Sequence, residues 1–231
     1  MSLSSGLSDA AVTRHEAMDV LYLHGFTSSS HSTKAVYLAE RLREHGVALR
    51  SPDFNQSDFS TLTMTRMLDQ LAMEVGDGTR GPLTLVGSSL GGTLAVLAAA
   101  RMGTRVDRLV LLAPAVMFGK PGDPVLPPER IEDWRRRGAM PFFHYAHNEE
   151  RLLNYAFYED SVRHDGFGAD FPQPALIFQG LRDGSVDHRT VEAFARTRPN
   201  VTLSLLDDDH QLMASLPRIW NDMEAFLGLA R

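Results

Sequence analysis

The sequence contains no cysteine, and this absence removes several kinds of chemistry at once. Without a thiol there is no disulfide framework, no thiolate nucleophile and no cysteine-bound zinc. The composition fits a reducing compartment, so we expect a cytoplasmic protein. Any catalysis by this chain must use other side chains.

Long apolar runs and an excess of positive charge are also missing. No stretch reaches the roughly 18 apolar residues of a membrane-spanning helix, and residues 1–17 lack the charged-then-apolar order of a signal peptide. The formal net charge is −6, from 23 Lys and Arg against 29 Asp and Glu. This balance argues against nucleic acid or a membrane as a partner and favours a small molecule. Nothing in the sequence specifies an oligomeric state.

Hydrophobic residues make up 43% of the 231 positions, which is enough to form the core of one folded domain over residues 1–231. Short apolar runs such as residues 18–23 and 83–86 alternate with stretches of helical periodicity such as residues 90–102. This alternation predicts an α/β fold with a mainly parallel sheet and helices on both faces.

The alternation stops between about residues 115 and 174, a segment rich in proline and aromatic residues. We predict that this segment is a cap insertion over one edge of the sheet, with short helices at 128–137 and 148–155. Three consecutive arginines at 135–137 are interpreted as a solvated helix face, with contact to an anionic ligand as the alternative.

Two adjacent serines lie between glycines in the stretch VGSSLGG, residues 86–92. A nucleophile at a sharp strand-to-helix turn has a strained backbone, and the residues two before and two after it crowd the turn, so both positions favour glycine. Around Ser89 these neighbours are Gly87 and Gly91. Around Ser88 they are a valine and a leucine, which do not fit. Ser89 is therefore the candidate nucleophile.

The alternative is a tight turn in which the serine only caps a helix. A serine hydroxyl becomes a good nucleophile when a base removes its proton and a third group orients that base. The choice between the two interpretations therefore depends on finding both partners.

With its G-x-S-x-G turn, the chain resembles the α/β-hydrolase superfamily, and in particular its small bacterial serine esterases. In that superfamily the order along the chain is serine, acid, histidine. By this resemblance, Asp183 in the turn GLRDGSV is the orienting carboxylate and His210 in DDDHQLM is the base. Asp187 is the alternative acid, although it suits the cap of the next helix. Taken singly, each partner also fits an ordinary surface or turn residue.

The stretch YLHGFTSS, residues 22–29, resembles the H-G-x motif of the superfamily. The resemblance assigns the backbone N–H of Phe26 to the oxyanion hole, with the N–H of Leu90 at the start of a helix as the second donor. His24 is then expected to be a structural hydrogen-bonding residue and not a base.

These assignments imply a serine hydrolase that cleaves carboxylic esters of small or medium acyl groups through an acyl-enzyme. Its partner is a small-molecule ester or thioester, and the reaction requires no metal or organic cofactor. Thioesterase, lactonase and peptidase chemistry would use the same residues, and a ligand-binding protein without turnover is the non-enzymatic alternative. Because the histidine must be neutral to act as a base, activity should fall in acid.

Aromatic residues of the insertion are candidates for an apolar acyl pocket. We name Phe142 and Tyr145 as substrate-binding residues, with packing inside the cap as an equal alternative. His144 and His147 lie three residues apart, but they lack a third ligand at a suitable spacing, so no metal site is predicted.

Overall fold

The computed structural model describes residues 18–76, 81–120 and 127–230, so residues 121–126 of the expected insertion lie outside the described residues. The β-strands are β1 (Asp19–Leu23), β2 (Leu49–Arg50), β3 (Leu83–Ser88), β4 (Val106–Leu112), β5 (Ala139–His144), β6 (Glu149–Asn154), β7 (Ala175–Gly180) and β8 (Val201–Leu206). The α-helices are α1 (Thr33–Arg43), α2 (Met64–Val75), α3 (Leu90–Met102), α4 (Pro128–Arg137), α5 (Ala156–Ser161), α6 (His188–Arg196) and α7 (Leu216–Leu227).

Six of the strands form one parallel sheet in the order β2-β1-β3-β4-β7-β8. Tyr22 on β1 pairs with Val86 on β3, and Val86 pairs in turn with Val110 on β4. From β1 the chain adds β2 on one side, and from β3 it adds the later strands on the other side. The loops after β1 and β3 therefore leave the same edge of the sheet side by side. This arrangement confirms the predicted α/β fold. It also brings the stretches YLHGFTSS (residues 22–29) and VGSSLGG (residues 86–92) together.

Helices cover both faces of the sheet, as predicted. Alternate strand residues such as Leu85 and Val86 point to opposite faces and belong to two separate apolar cores. The core on one face includes residues of α2, α3 and α6, and the core on the other includes residues of α1 and α7. Both faces of the central strands are therefore buried.

Helix α2 shows how local sequence produces these elements. The side chain of Thr63 accepts a hydrogen bond from the Arg66 N–H at its start, and Gly76, with φ +55°, ends it. Its five buried residues recur at helical spacing along one face: Met64, Met67, Leu68, Leu71 and Val75. This apolar stripe fixes the helix against the sheet.

Between β4 and β7 the structure contains α4, β5, β6 and α5. The predicted helix at 128–137 is present, but the predicted helix at 148–155 is wrong. Those residues instead form β6, which pairs antiparallel with β5 and buries Leu153. The Trp134 indole N–H also donates to the Leu153 carbonyl oxygen at 2.8 Å. Tertiary pairing therefore overrides the helix propensity of Glu, Arg and Leu in this segment.

The three arginines of α4 pair with acidic residues of the same helix. Arg135 binds Glu132 and Arg137 binds Asp133, with N–O distances of 2.7 and 2.8 Å. These pairs support the solvated helix face. The assignment of one domain with a cap at about 115–174 stays a prediction.

Within the described residues, no helix is long and apolar enough to cross a membrane.

Candidate active site

Ser89 lies at the sharp turn between β3 and α3. Its backbone has φ +53° and ψ −117°, a conformation that costs energy for any residue with a side chain. Hydrogen bonds hold the residue there: its N–H donates to the Leu112 carbonyl oxygen at 2.9 Å, and its carbonyl oxygen accepts from the N–H of Ala115 at 3.1 Å. Ser89 and Ser88, the last residue of β3, both line a cavity, but only Ser89 occupies the strained turn.

The glycines on either side of Ser89 are required by close backbone contacts. A Cβ atom at Gly87 would overlap the Gly91 carbonyl group, and one at Gly91 would overlap the Leu23 carbonyl group of β1. Neither carbonyl can move without disturbing the sheet or the helix. The steric argument for a glycine at both positions is confirmed.

The structure brings Ser89, His210 and Asp183 into one chain of hydrogen bonds. Asp183 follows β7 and His210 follows β8, so the two neighbouring parallel strands deliver both residues to the same edge of the sheet. His210 Nδ1 lies 2.8 Å from Asp183 Oδ2, and Nε2 lies 3.1 Å from Ser89 Oγ. Because an ionised carboxylate only accepts hydrogen bonds, Nδ1 carries the proton, and Nε2 is free to accept from the serine hydroxyl.

The Asp183 carboxylate is fully buried and has four hydrogen-bond donors. Besides His210, the Gln179 side chain donates to Oδ2 at 3.0 Å, and the N–H groups of Ser185 and Val186 each donate to Oδ1 at 2.8 Å. Burial acts to raise the pKa of Asp183, but the hydrogen bonds from His210 and the two amides outweigh it and lower the pKa. The group therefore remains a carboxylate facing the imidazole.

Asp187, the alternative acid, does not contact His210 in the described structure. Its side chain accepts a hydrogen bond from the Arg189 N–H at 3.0 Å and caps α6. The expected capping role is confirmed.

The loop after β1 lies against the Ser89 turn. A Cβ atom at Gly25 would be 3.3 Å from Ser89 Cβ and 4.0 Å from Ser89 Oγ. Within the described part of the chain, neither the Phe26 N–H nor the Leu90 N–H has a hydrogen-bond acceptor. Two unused backbone donors therefore lie beside the serine, as an oxyanion site requires.

His24 holds this loop in place through hydrogen bonds at both of its ring nitrogens. Its Nε2 accepts a hydrogen bond from the Phe54 N–H at 3.1 Å, so its Nδ1 is the donor to the Gly25 carbonyl oxygen at 2.9 Å. Both ring nitrogens are used within the fold, and the ring is 5% exposed. The expected structural role of His24 is confirmed.

Ser89 and His210 lie on the wall of a cavity of about 1170 Å³. Part of this wall is apolar and includes Phe26, Val116, Met117, Phe118, Val186 and Met213. Another part is polar and includes Ser28, Ser29, His31, Ser32, Lys34 and Gln211. A volume of this size holds a small organic molecule, and the lining offers both apolar contacts and hydrogen-bond partners.

The two aromatic residues named as substrate-binding differ in position. Tyr145 lies on the cavity wall and is 75% exposed. Phe142 is not among the described residues of the wall, and it is only 5% exposed because its ring packs against Trp134 and Phe26 at centroid distances of 4.9 and 5.3 Å. The expectation for Phe142 is corrected: strand alternation turns it inward, away from the cavity.

His144 and His147 lie side by side near the end of β5. The two rings lie 4.7 Å apart between centroids, but the described residues contain no cluster of three or more His, Asp or Glu side chains arranged to bind a metal ion.

Sequence reasoning missed Lys34. This lysine is 7% exposed, and its Nζ donates to the Gln211 carbonyl oxygen at 3.1 Å, next to His210. Burial lowers the pKa of Lys34 to about 8, against the opposite effect of Asp183, Asp209 and Asp208. The available signal was its spacing, since Lys34 precedes the buried residues Leu38 and Leu42 by four and eight positions on the apolar face of α1.

The sheet order, the covering helices and similar solved structures define an α/β-hydrolase fold. One of these structures is of a protein from Agrobacterium vitis S4 that is provisionally described as a hydrolase. It is 24% identical to this chain, with a TM-score of 0.81, and the match covers 92% of this chain and 89% of that one. Alpha/beta hydrolase domain-containing protein 10 from mouse is 22% identical with a TM-score of 0.77, over 91% and 89% of the two chains. Est1E from Butyrivibrio proteoclasticus with bound ferulic acid is also 22% identical with a TM-score of 0.77, over 90% and 87%.

The chain belongs to the uncharacterised protein family UPF0227, whose model matches residues 19–228. No curated protein matches the chain in sequence. The predicted α/β-hydrolase fold is confirmed.

Proposed function

We propose that this protein is a serine hydrolase that cleaves carboxylic esters of small or medium acyl groups, with Ser89, His210 and Asp183 as its catalytic triad. The observation that carries the proposal is the hydrogen-bond chain from Asp183 Oδ2 through the imidazole to Ser89 Oγ, with distances of 2.8 and 3.1 Å. The strained elbow, the two unused amide donors and the cavity are independent support, because acyl transfer needs each of them.

The reaction begins when the Ser89 hydroxyl loses its proton to His210 Nε2 and Oγ attacks the carbonyl carbon of the ester. The carbonyl oxygen becomes an oxyanion, which accepts hydrogen bonds from the N–H groups of Phe26 and Leu90. The carbon–oxygen bond to the leaving group then breaks, and the proton held on His210 passes to the leaving oxygen. An acyl group remains bound to Ser89.

A water molecule completes the cycle. His210 removes a proton from this water, whose oxygen attacks the acyl carbon, and the bond from that carbon to Ser89 Oγ breaks. The proton on His210 returns to Oγ, and the carboxylic acid leaves. Asp183 stabilises the imidazolium formed in each half of the cycle and remains ionised throughout.

In this proposal residues 115–174 act as a cap that completes the substrate cavity. Two contacts support that role. The Tyr145 N–H donates to the Thr27 carbonyl oxygen at 3.0 Å, which ties β5 to the oxyanion loop. Met117 and Phe118, at the start of the insertion, form part of the apolar wall.

The direct test is covalent labelling with a fluorophosphonate probe, with the adduct located by mass spectrometry. We expect the label on Ser89 and its loss in S89A and H210A. S88A is the matched control, because Ser88 is the residue before Ser89 and lies on the same proteolytic peptide. We expect this substitution to leave the labelling of Ser89 intact. A folded protein that binds esters but is never labelled would favour a ligand-binding protein without turnover.

A further inference from the structure

One charged group beside the triad has no part in the proposed reaction. The chain has two lysines, Lys34 and Lys120. Lys34 lies in the first turn of α1 and is the only Lys or Arg among the described residues on the cavity wall. A buried ammonium group is costly unless acceptors surround it, so its position calls for an explanation.

Lys34 contacts the loop that carries His210. His210 must protonate the leaving atom, so the leaving group departs along the side of the cavity occupied by His210. Lys34 Nζ donates to the carbonyl oxygen of Gln211, the residue that follows His210. The apolar residues 115–118 belong to a different segment, the one that follows β4. The Ala115 N–H of this segment donates to the Ser89 carbonyl oxygen.

The ammonium group of Lys34 has donors to spare. It carries three N–H bonds, and in the described structure one of them is used, by Gln211. The negative charges of Asp183, Asp208 and Asp209, in the turns after β7 and β8, act on it electrostatically, but none of these three residues is paired with it in the described structure and none lies on the cavity wall. Two donors therefore remain for an acceptor in the cavity.

The neighbouring carboxylates are occupied by other donors. Asp183 is held by His210 and two amides, Asp208 accepts from the N–H groups of Asp209 and Ser215, and Asp209 accepts from the Gln211 N–H. His31 and the buried Tyr22 are other titratable groups on the cavity wall. Asp187 is the one described carboxylate that lines the cavity, and it caps α6.

We propose that Lys34 forms a leaving-group subsite and selects esters or thioesters whose leaving group carries an anionic oxygen, a carboxylate or phosphate. This inference rests on the proposed hydrolase function. The hydroxyl groups of Ser29 and Ser32 lie on the same polar wall and offer further donors to such a group. The acyl group would then occupy the apolar wall formed by residues 115–118.

The test compares two esters with the same acyl group, 4-nitrophenyl butyrate and 3-carboxy-4-nitrophenyl butyrate. The ratio of their kcat/KM values in each variant is divided by the same ratio in the wild type, which cancels the different intrinsic reactivities of the leaving groups. We expect K34M to lower kcat/KM for the carboxylated ester by about tenfold relative to the neutral one, as for one desolvated charge pair. K34R should retain most of the preference.

K120M is the matched control. The Nζ of Lys120 also donates to a backbone carbonyl oxygen, that of Val162 at 3.1 Å, but Lys120 is not among the described residues of the cavity wall. Both substitutions remove one positive charge, so a general effect of net charge would appear equally in the two variants. Thermal unfolding of each variant verifies that it is folded.

The pH dependence supplies a second readout. Lys34 has a pKa of about 8, so the preference for the anionic ester should be present at pH 7 and fade as pH rises above 8, when the amine becomes neutral. A merely structural lysine would not produce a pH dependence specific to one of the two esters.

Each outcome has a distinct meaning. Equal losses for both esters in K34M would overturn the subsite and assign Lys34 to positioning of the His210 loop. Unchanged rates for both esters would overturn the subsite while leaving the hydrolase intact. A wild-type protein that turns over neither ester and takes no phosphonate label on Ser89 would overturn the proposed function itself.

Discussion

The backbone N–H of Tyr145 donates a hydrogen bond of 3.0 Å to the carbonyl oxygen of Thr27. This bond joins the end of β5 in the insertion to the loop that carries Phe26. Thr27 itself has φ +55° and is buried, so the loop has little freedom to move alone. The loop that carries Phe26 and the proposed cap are therefore coupled through main-chain atoms, which side-chain substitutions leave in place.

The two aromatic residues of β5 and the turn after it should respond differently to truncation. Phe142→Ala removes a ring buried against Trp134, and we expect a loss of about 3–5 kcal/mol in the free energy of unfolding. Tyr145→Ala removes an exposed ring from the cavity wall, so it should leave stability unchanged and alter the preference between acetate and longer acyl esters. Urea unfolding and the chain-length profile measure the two effects. An unaltered profile in Tyr145→Ala would remove Tyr145 from the acyl pocket.

Replacing the carboxylate that faces His210 tests the choice of acid. Asp183→Asn places an amide next to Nδ1 and favours the wrong imidazole tautomer, so kcat for an activated ester should fall about 10³–10⁴-fold. Asp187→Asn is the matched control, because asparagine caps a helix as well as aspartate and kcat should stay within about threefold. The opposite pattern would assign the acid to Asp187.

The glycine after the elbow should tolerate no side chain. In Gly91→Ala the added Cβ meets the Leu23 carbonyl group, and because this contact is with a core strand we expect a stability loss at or above the usual overpacking cost of about 1–3 kcal/mol. Gly184→Ala is the control, since its added Cβ meets no atom within 4 Å. Both are measured by urea unfolding. Equal midpoints for the two variants would contradict the steric interpretation.

His144 should make the fold sensitive to acid. It is 0% exposed, and neither ring nitrogen has a hydrogen-bond partner in the described structure. Burial, together with the charges of His147 and Arg151, lowers the pKa of His144 to about 4. In the unfolded chain histidine titrates near 6.5, so the unfolded state takes up the proton first, and stability falls as pH drops from about 6.5 toward 4.

His144→Phe removes that protonation and retains a ring that packs against Phe59, whose centroid lies 4.9 Å from the imidazole. We expect the melting temperature of this variant to decrease less than that of the wild type between pH 7.5 and pH 5. Parallel decreases in the two proteins would show that other groups cause the acid sensitivity.

The sheet and its helices could be predicted from the sequence because their signals are local. The strands β1 and β3 are short buried apolar runs, and α2 has an apolar stripe that begins after the capping Thr63 and ends at Gly76. The segment 149–154 lacked such a signal: its residues favour a helix, and only pairing with β5 makes them a strand. Pairing between distant segments is not encoded in local periodicity.

For the candidate site, the sequence by itself determined the elbow. The spacing of Gly87, Ser89 and Gly91 indicates which serine can occupy a strained turn. The crowding at Gly87 arises within that turn, from the Gly91 carbonyl group, whereas the crowding at Gly91 comes from the Leu23 carbonyl group of β1. The assignment of Asp183 as the acid and His210 as the base came from the order of these residue types along the chain in a known superfamily. No local sequence pattern around either residue specifies it.

Only the tertiary structure decided which side chains line the cavity. Lys34 reaches the carbonyl oxygen of Gln211 across 177 positions of the chain, and Phe142 turns away from the cavity that Tyr145 lines. Both outcomes depend on how a helix after β1, a loop after β8 and a hairpin of the insertion pack around one serine. Long-range packing of this kind has no counterpart in spacing or composition, so sequence patterns specify the candidate nucleophile but not the cavity around it.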